Sequence, residues 1–413
     1  MTSTYEATPP SADPFLYFVL LSQNIRPAIA ACGEMGEVVG ISEIHRKPIA
    51  SKEDILDLLL ELYGLKVAAI SEQESYSDQV CHVVTREKEP LLTEEYILKL
   101  YNHEASENLK DITEVIDILV WLNLQGINCP KPLKNKHGTY ITLKDFSKDE
   151  NGITIFGTYA VCLFSFVKGV QLKKIVDISD GLLFNAGQYL AELQLLLKKV
   201  HFPITRRLEY NFDFDCIKER LREKYFYKFV DGVKRELILE AFHNFVTDVD
   251  QQKAQLEKGV IHGDYNEANI LISSESVNGS LISERITGII DFNDLIDGAL
   301  VYDTAIGLLY MMLLRRGDMF TAGAHFLAGY QSKRPLQALE KEVIIKIVAA
   351  RLALSLVAGL EASSKDPDNV YLLETQAVGW DFLQMLLNIP EKDIWETWNL
   401  IIDGYEKSQK IEA

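Results

Sequence analysis

The sequence predicts an α+β chain in two parts, a small antiparallel-sheet lobe followed by a mainly helical lobe, and three observations carry that expectation. Up to about residue 168, short runs of β-branched and aromatic residues are separated by Gly, Pro and Asn turns, the pattern of half-buried strands. After Gly169 the apolar period lengthens to that of helices, with segments at 182–199, 214–227, 234–256, 305–315, 338–360, 370–387 and 394–405. Strand material beyond that point is confined to two short segments, starting at Val260 and Ile286, and each delivers polar residues at its end.

Residues 1–50 read as an N-terminal extension, polar and proline-bearing as far as Pro14 and therefore partly flexible. Ser51 can cap a helix over 52–63, whose Ile55, Leu58, Leu59 and Leu62 share a face and whose exit is Gly64. Strands are expected at 66–71, 80–86 and 94–101, with 87–90 as the turn between the last two. A helix at 111–126 buries Ile112, Val115, Ile116, Leu119 and Leu122 and ends at Gly126. Two further strand segments, 139–143 and 155–167, flank a turn-rich 145–152, with Gly138 and Gly152 at hairpin tips. The joint falls near 166–170, so the first lobe spans 51–168 and the second 169–413.

The composition, 47% hydrophobic and 25% charged, is that of an ordinary globular chain. A net charge of -18 repels nucleic acid and anionic membrane and suits a small cationic partner. Cysteines at 32, 81, 129, 162 and 216 are odd in number and widely spaced, which fits a reducing compartment. The first 14 residues carry neither a secretory nor an import pattern, and uncharged apolar runs such as 352–360 fall short of a bilayer span, so a cytoplasmic location is expected.

The chemistry concentrates in Val260-Ile-His-Gly-Asp-Tyr-Asn-Glu-Ala-Asn-Ile-Leu-Ile272 and Thr287-Gly-Ile-Ile-Asp-Phe-Asn-Asp294. Asp264, Asn269 and Asp291 are offered there from loops beside strands. Phosphoryl transfer needs this set: one carboxylate to orient the attacking hydroxyl, and an amide with a second carboxylate to hold magnesium on the phosphates. The spacing His-x-Asp-x-x-x-x-Asn followed by Asp-Phe is the kinase catalytic-loop and metal-loop pattern. Asp and Asn also punctuate ordinary turns, and it is the combination of both segments that favours catalysis.

A kinase also needs a cation on the nucleotide phosphates, and Lys99 lies within a predicted strand of the first lobe. Glu114, on the helix that follows, is its natural carboxylate partner, although Asp111-Ile-Thr-Glu114 equally fits a capping box that closes the helix start. The phosphate-covering turn should lie between residues 71 and 83, where there is no glycine; Ser75 and Ser77 can either contact phosphate or belong to a solvated turn. Asp303 either braces the catalytic loop or caps the helix it opens.

These residues resemble the aminoglycoside phosphotransferase and choline kinase group of small-molecule kinases. The blocks Ile25-Arg-Pro27, Leu62-Tyr-Gly-Leu65, Ser75-Tyr-Ser-Asp-Gln79, Tyr96-Ile-Leu-Lys99, Ile112-Thr-Glu-Val115, His262-Gly-Asp-Tyr-Asn-Glu267 and Gly379-Trp-Asp381 are together similar to the hydroxylysine kinase subfamily. The resemblance implies a two-lobed protein-kinase-like fold, Mg2+ as cofactor, and transfer of the γ-phosphoryl group of GTP or ATP to the side-chain hydroxyl of 5-hydroxylysine. It also implies Asp264 as the catalytic base, Asn269 and Asp291 as metal ligands, and Lys99 with Glu114 as the nucleotide clamp. Choline, homoserine and aminoglycosides are the alternative acceptors, and a non-catalytic nucleotide-binding module is the reading from another class. Asp294, beside the metal loop, is the favoured carboxylate for the ammonium groups of a cationic amino acid, ahead of Asp213, Asp215, Asp297 and Glu361. Two departures stand out: Asn293 replaces the glycine of a protein kinase's metal motif, a position at which Asn can take a positive φ, and Val80 stands where the subfamily's phosphate turn tends to carry Asn.

Overall fold

The computed structural model describes residues 38–39 and 47–412 apart from 76, 86–93, 151–152, 206–212, 224, 278–279, 366, 368–372 and 374. The N-terminal extension apart from 38–39 and 47–50, its flexible first 14 residues included, the turn at 87–90 and the tip at Gly152 lie outside the described residues. Ser51 opens α1 (Lys52–Leu58) with a reciprocal cap: its side chain accepts from the Asp54 N–H, and the Asp54 carboxylate accepts from the Ser51 N–H. The helix continues through a π turn at Leu59–Tyr63 and stops at Gly64, φ +71°.

After a two-residue strand β1 (Val38–Val39) come β2 (Val67–Gln73), β3 (Gln79–Thr85) and β4 (Glu95–Leu100), the expected antiparallel meander. Beyond two-residue β5 (Pro132–Leu133), β6 (Thr142–Glu150) and β7 (Ile153–Ser165) form a long hairpin whose second strand pairs with β4. The expected turn at 145–152 is therefore strand as far as Glu150. Asp145 and Asp149 are exposed on that hairpin and accept from Thr158 and Thr154 across the ladder, a cross-strand use of residues that sequence alone reads as turn formers. Ile55, Leu58, Leu59 and Leu62 of the first helix pack on Val83, Leu98, Val161 and Leu163 of the sheet as one core.

Two helices follow β4, and only the second was expected. In α2 (His103–Glu107) the Asn102 side chain accepts from the Ala105 N–H, and α3 (Leu109–Leu124) starts directly after Asn108. Asp111 thus lies inside α3 and the capping box at 111–114 does not form. The predicted buried face and the Gly126 exit, φ +85°, are as expected.

The remainder is helical around two short sheets. It runs through β8 (Val170–Gln171), α4 (Asp180–Leu197), α5 (Ile217–Glu223), α6 (Gly232–Asn244), β9 (Lys258–Ile261), β10 (Ile270–Val277), β11 (Ser280–Ile289) and β12 (Ile296–Ala299). It closes with α7 (Leu300–Leu314), α8 (Met319–Gln331), α9 (Ala338–Lys365), α10 (Gln376–Asn388) and α11 (Glu391–Glu412). The predicted helices at 214–227 and 234–256 are broken into shorter α, 3-10 and π turns, the first opened by the Asp213 carboxylate accepting from the Asp215 N–H. Helix α8 was not expected at all, and strand material beyond 169 also includes β8 and β12. Helix α9 is long and apolar enough to cross a bilayer, yet 89% of its most apolar window is buried inside the fold, which makes it a core helix here.

Candidate active site

Strands β9 and β12 pair antiparallel, β10 pairs with β11, and the loops leaving these four strands hold the motif residues. Asp303, fully buried at the first turn of α7, accepts from the His262 N–H on Oδ2 and from the Gly263 N–H on Oδ1, both at 2.8 Å. It braces the catalytic loop. Gly263 has φ +81°, and a Cβ there would lie 2.0 Å from the Asp294 carbonyl oxygen, so only glycine permits this approach. His262 is buried, and burial holds its imidazole below the usual histidine range. Its Nδ1 accepts from the Asp264 N–H at 3.2 Å, which leaves Nε2 to donate to the Ile290 carbonyl at 3.1 Å. The histidine is thus a neutral strut between the two motif segments.

Asp264 is fixed at both oxygens. Oδ2 accepts from Asn266 Nδ2 at 2.8 Å and Asn269 Nδ2 at 2.9 Å, while Oδ1 accepts from Arg351 Nη2 at 2.8 Å. Burial pushes its carboxyl above the usual range, against the pull of the Arg351 guanidinium. Asn269, with both Nδ2 bonds directed at Asp264, keeps its side-chain carbonyl as an oxygen donor. Its backbone carbonyl accepts from the Ile290 N–H at 2.9 Å, which sets Asp291 beside the loop. Asp291 is exposed with φ +60°, and no other non-glycine among the described residues has a positive φ. The left-handed residue of this motif is therefore Asp291, and the expectation of a positive φ at Asn293 is corrected. Asn293 instead donates from Nδ2 to Asp78 Oδ2 at 3.3 Å.

Lys99 meets Asp78, Nζ to Oδ2 at 3.0 Å. Burial works against its ammonium, but Asp78 and then Asp291 outweigh it, and the pKa is held above that of an ordinary lysine. Glu114 is not its partner. The Glu114 carboxylate accepts from the Thr205 N–H at 2.8 Å and from Thr205 Oγ1 at 2.7 Å, tying α3 to the segment after α4. The register explains the exchange: Lys99 is the cross-strand neighbour of Val80, so Asp78, two residues earlier, emerges on the same face of the sheet. Asp78 is 4% exposed and also accepts from the Asn102 N–H at 2.8 Å. Ser77 Oγ accepts from Asn102 Nδ2 at 3.1 Å, which gives it a structural bond in this turn; Ser75 is half-buried nearby.

On the other side of Asp264 the charge of Asp294 acts on Arg351. Asp213, Asp215 and Asp297 line a cavity with Gly263 and Tyr302. Asp215 pairs with Lys253 at 2.8 Å and Glu361 with Lys365 at 2.7 Å. Sequence reasoning missed Asp78 and Arg351. Asp78 lies in the Ser75-Tyr-Ser-Asp-Gln79 segment, and strand alternation points to it; Arg351 has only the signal of a cation set within the apolar stretch from Ile347 to Leu360.

A sequence profile of the phosphotransferase enzyme family (APH) matches residues 70–339. The hydroxylysine kinase of Bos taurus is 31% identical over 88% of this chain and 96% of its own length. That of Xenopus laevis is 28% identical over 87% and 96%. Among solved structures, a microcompartment-associated aminopropanol kinase superposes with a TM-score of 0.58 at 18% identity, covering 81% of this chain and 98% of that one, a likeness of fold.

Proposed function

The chain belongs to the APH phosphotransferase enzyme family, and from that premise we propose that it transfers the γ-phosphoryl group of GTP, or of ATP, to the side-chain hydroxyl of 5-hydroxylysine. The observation that carries the reading is Asp264: a half-buried carboxylate held by Asn266 and Asn269 on one oxygen and by Arg351 on the other, close enough to Asp291 to feel its charge, with Asp291 in turn acting on Lys99. The name borne by the Bos taurus and Xenopus laevis relatives supplies the acceptor. We assign the nucleotide to residues 51–168 and the acceptor to 169–413.

Asn269 and Asp291 are the residues that would hold Mg2+, since one amide oxygen and one exposed carboxylate match a cation that is otherwise ligated by phosphate and water. When bound there, such an ion neutralises charge on the phosphate oxygens. Asp264 accepts a hydrogen bond from the acceptor hydroxyl and aims that oxygen at the γ-phosphorus. As the new O–P bond forms, the bond to the β-bridging oxygen breaks, and Asp264 takes the hydroxyl proton. Lys99, steadied by Asp78, faces the donor phosphates, and Asp294 faces an ammonium group of the acceptor. Ser75 and Ser77 lie in the turn assigned to the phosphates.

The test is turnover by the purified protein with Mg2+, GTP or ATP, and 5-hydroxylysine, lysine, choline, homoserine or an aminoglycoside. Turnover with hydroxylysine and none with lysine supports the reading. Turnover with another acceptor alone replaces the substrate, and nucleotide binding without any turnover replaces the enzyme by a binding module.

A further inference from the structure

Arg351 has no role in the reaction outlined above, yet its guanidinium lies against the catalytic carboxylate. It sits in the middle of α9, is 1% exposed, and donates from Nη2 to Asp264 Oδ1 at 2.8 Å. A buried ion pair is poor material for stability, since apolar residues of similar volume serve as well or better; a guanidinium at a reacting carboxylate is a functional-site signature instead. Its direction matters. Oδ2 of Asp264 faces Asn266 and Asn269, the side of the metal ligands, whereas Oδ1 faces α9. In the reaction proposed above the acceptor approaches from the side away from the donor phosphates, and of the two Asp264 oxygens it is Oδ1, the one bonded to Arg351, that does not face Asn269.

The surrounding charges point the same way. Asp264 and Asp294 both act on Arg351, and Tyr310, whose hydroxyl bonds Ser355 Oγ at 3.0 Å, closes the guanidinium's other flank. Carboxylates suit the amino groups of an acceptor. A planar guanidinium suits a carboxylate, which it grips with two parallel bonds. Oδ1 has two lone pairs and can hold Arg351 and an acceptor hydroxyl together. A hydroxyl bound there at about 2.8 Å would lie within roughly 6 Å of Nη2, close enough for a carboxylate on the same small molecule to reach a guanidinium N–H over one further hydrogen-bond length.

We propose that Arg351 is a specificity-determining residue that anchors the α-carboxylate of the acceptor, so that the site selects hydroxy-amino acids over amino alcohols lacking a carboxylate. The proposal rests on the hydroxylysine reading for its first substrate pair, but its test does not depend on that pair.

The experiment measures kcat and KM for two matched pairs: 5-hydroxylysine with its decarboxylated counterpart 1,5-diaminopentan-2-ol, and homoserine with 3-aminopropan-1-ol. The readout is the ratio of kcat/KM within a pair, in which any general damage to the catalytic centre cancels. The parent should favour the carboxylate-bearing member at least about 30-fold, mostly through KM. Arg351→Met should bring the ratio to within about threefold of one, and Arg351→Lys, which keeps the charge but not the fork, should fall between them. Should the Met variant fail to fold, the Lys variant carries the comparison, with thermal melting as the control. An unchanged ratio in the folded variants, or a parent without preference in either pair, overturns the anchor. A parent inert toward hydroxylysine but selective for homoserine, with that selectivity erased in the variants, keeps the anchor and discards hydroxylysine.

Discussion

At the scale of single residues the site separates into groups that motif spacing exposes and groups that only packing exposes. Asp264, Asn269 and Asp291 lie close together because their spacing is set by local loop geometry, within one turn or one hairpin. Replacing Asp264 with Asn keeps its size while removing the proposed base, and turnover should fall by about 10²–10⁴-fold with nucleotide affinity nearly intact; calorimetric titration beside a turnover assay checks both. Turnover within tenfold of the parent would sink the role. Lys99 is the opposite case. Its partner was sought on the following helix, but the strand register brings Asp78 to it and sends Glu114 to Thr205. Asp78→Asn should therefore raise the KM for the donor by about tenfold or more, because Lys99 loses the carboxylate that steadies it. Glu114→Ala should leave donor KM within about threefold and instead cost about 2–3 kcal/mol of stability, the worth of charge-assisted bonds to a neutral group. A donor KM that rises with Glu114→Ala and not with Asp78→Asn reverses this assignment.

At the scale of elements, amphipathic segments were legible and uniformly buried ones were not. Helix α3 shows a clean apolar face because its other side is wet. Helix α8 is buried from Ala322 to Tyr330, so its Ala-Gly-Ala-His-Phe-Leu-Ala-Gly sequence has no polar side to set a period, and two glycines make it read as a loop. Gly329 has a packing reason, which it shares with Gly187. A Cβ on Gly329 would stand 1.8 Å from the Phe184 carbonyl oxygen, and one on Gly187 of α4 would stand 1.9 Å from that of Phe326. The two helices touch backbone to backbone, and neither neighbour is a side chain that can swing aside. Gly329→Ala or Gly187→Ala should thus cost about 3 kcal/mol or more, beyond the gain in helix propensity from Gly to Ala. Chemical denaturation measures it; a stabilised Ala variant would show that α4 and α8 are not in backbone contact. The β6–β7 hairpin repeats the lesson with strands, since Asp145 and Asp149 read as turn residues until their threonine partners across the ladder are known.

At the scale of the whole molecule the charge balance sets a condition on binding. The chain carries -18, and its reaction centre concentrates the same sign: Asp78, Asp264, Asp291 and Asp294 surround two cations, Lys99 and Arg351, and each of these is already paired with a carboxylate. A nucleoside triphosphate brings several further negative charges. In such a field a lysine held by Asp78 cannot offset them alone, and the nearest remaining donors, the Asn269 carbonyl and the exposed Asp291 carboxylate, attract a divalent cation and repel bare phosphate. Nucleotide binding should accordingly be conditional on the metal. With Mg2+ present, GTP or ATP at about 100-fold over its dissociation constant should stabilise the fold by about 2.7 kcal/mol, read as a rise in melting temperature of about 2 °C or more. A chelator should remove that shift, and Asp291→Asn should weaken it. The measurement is a thermal melt in four conditions, with and without nucleotide and with and without chelator. If the nucleotide shift survives chelation in full, phosphate is held by protein groups alone, and the assignment of Asn269 and Asp291 as the metal pair fails together with the charge argument behind it.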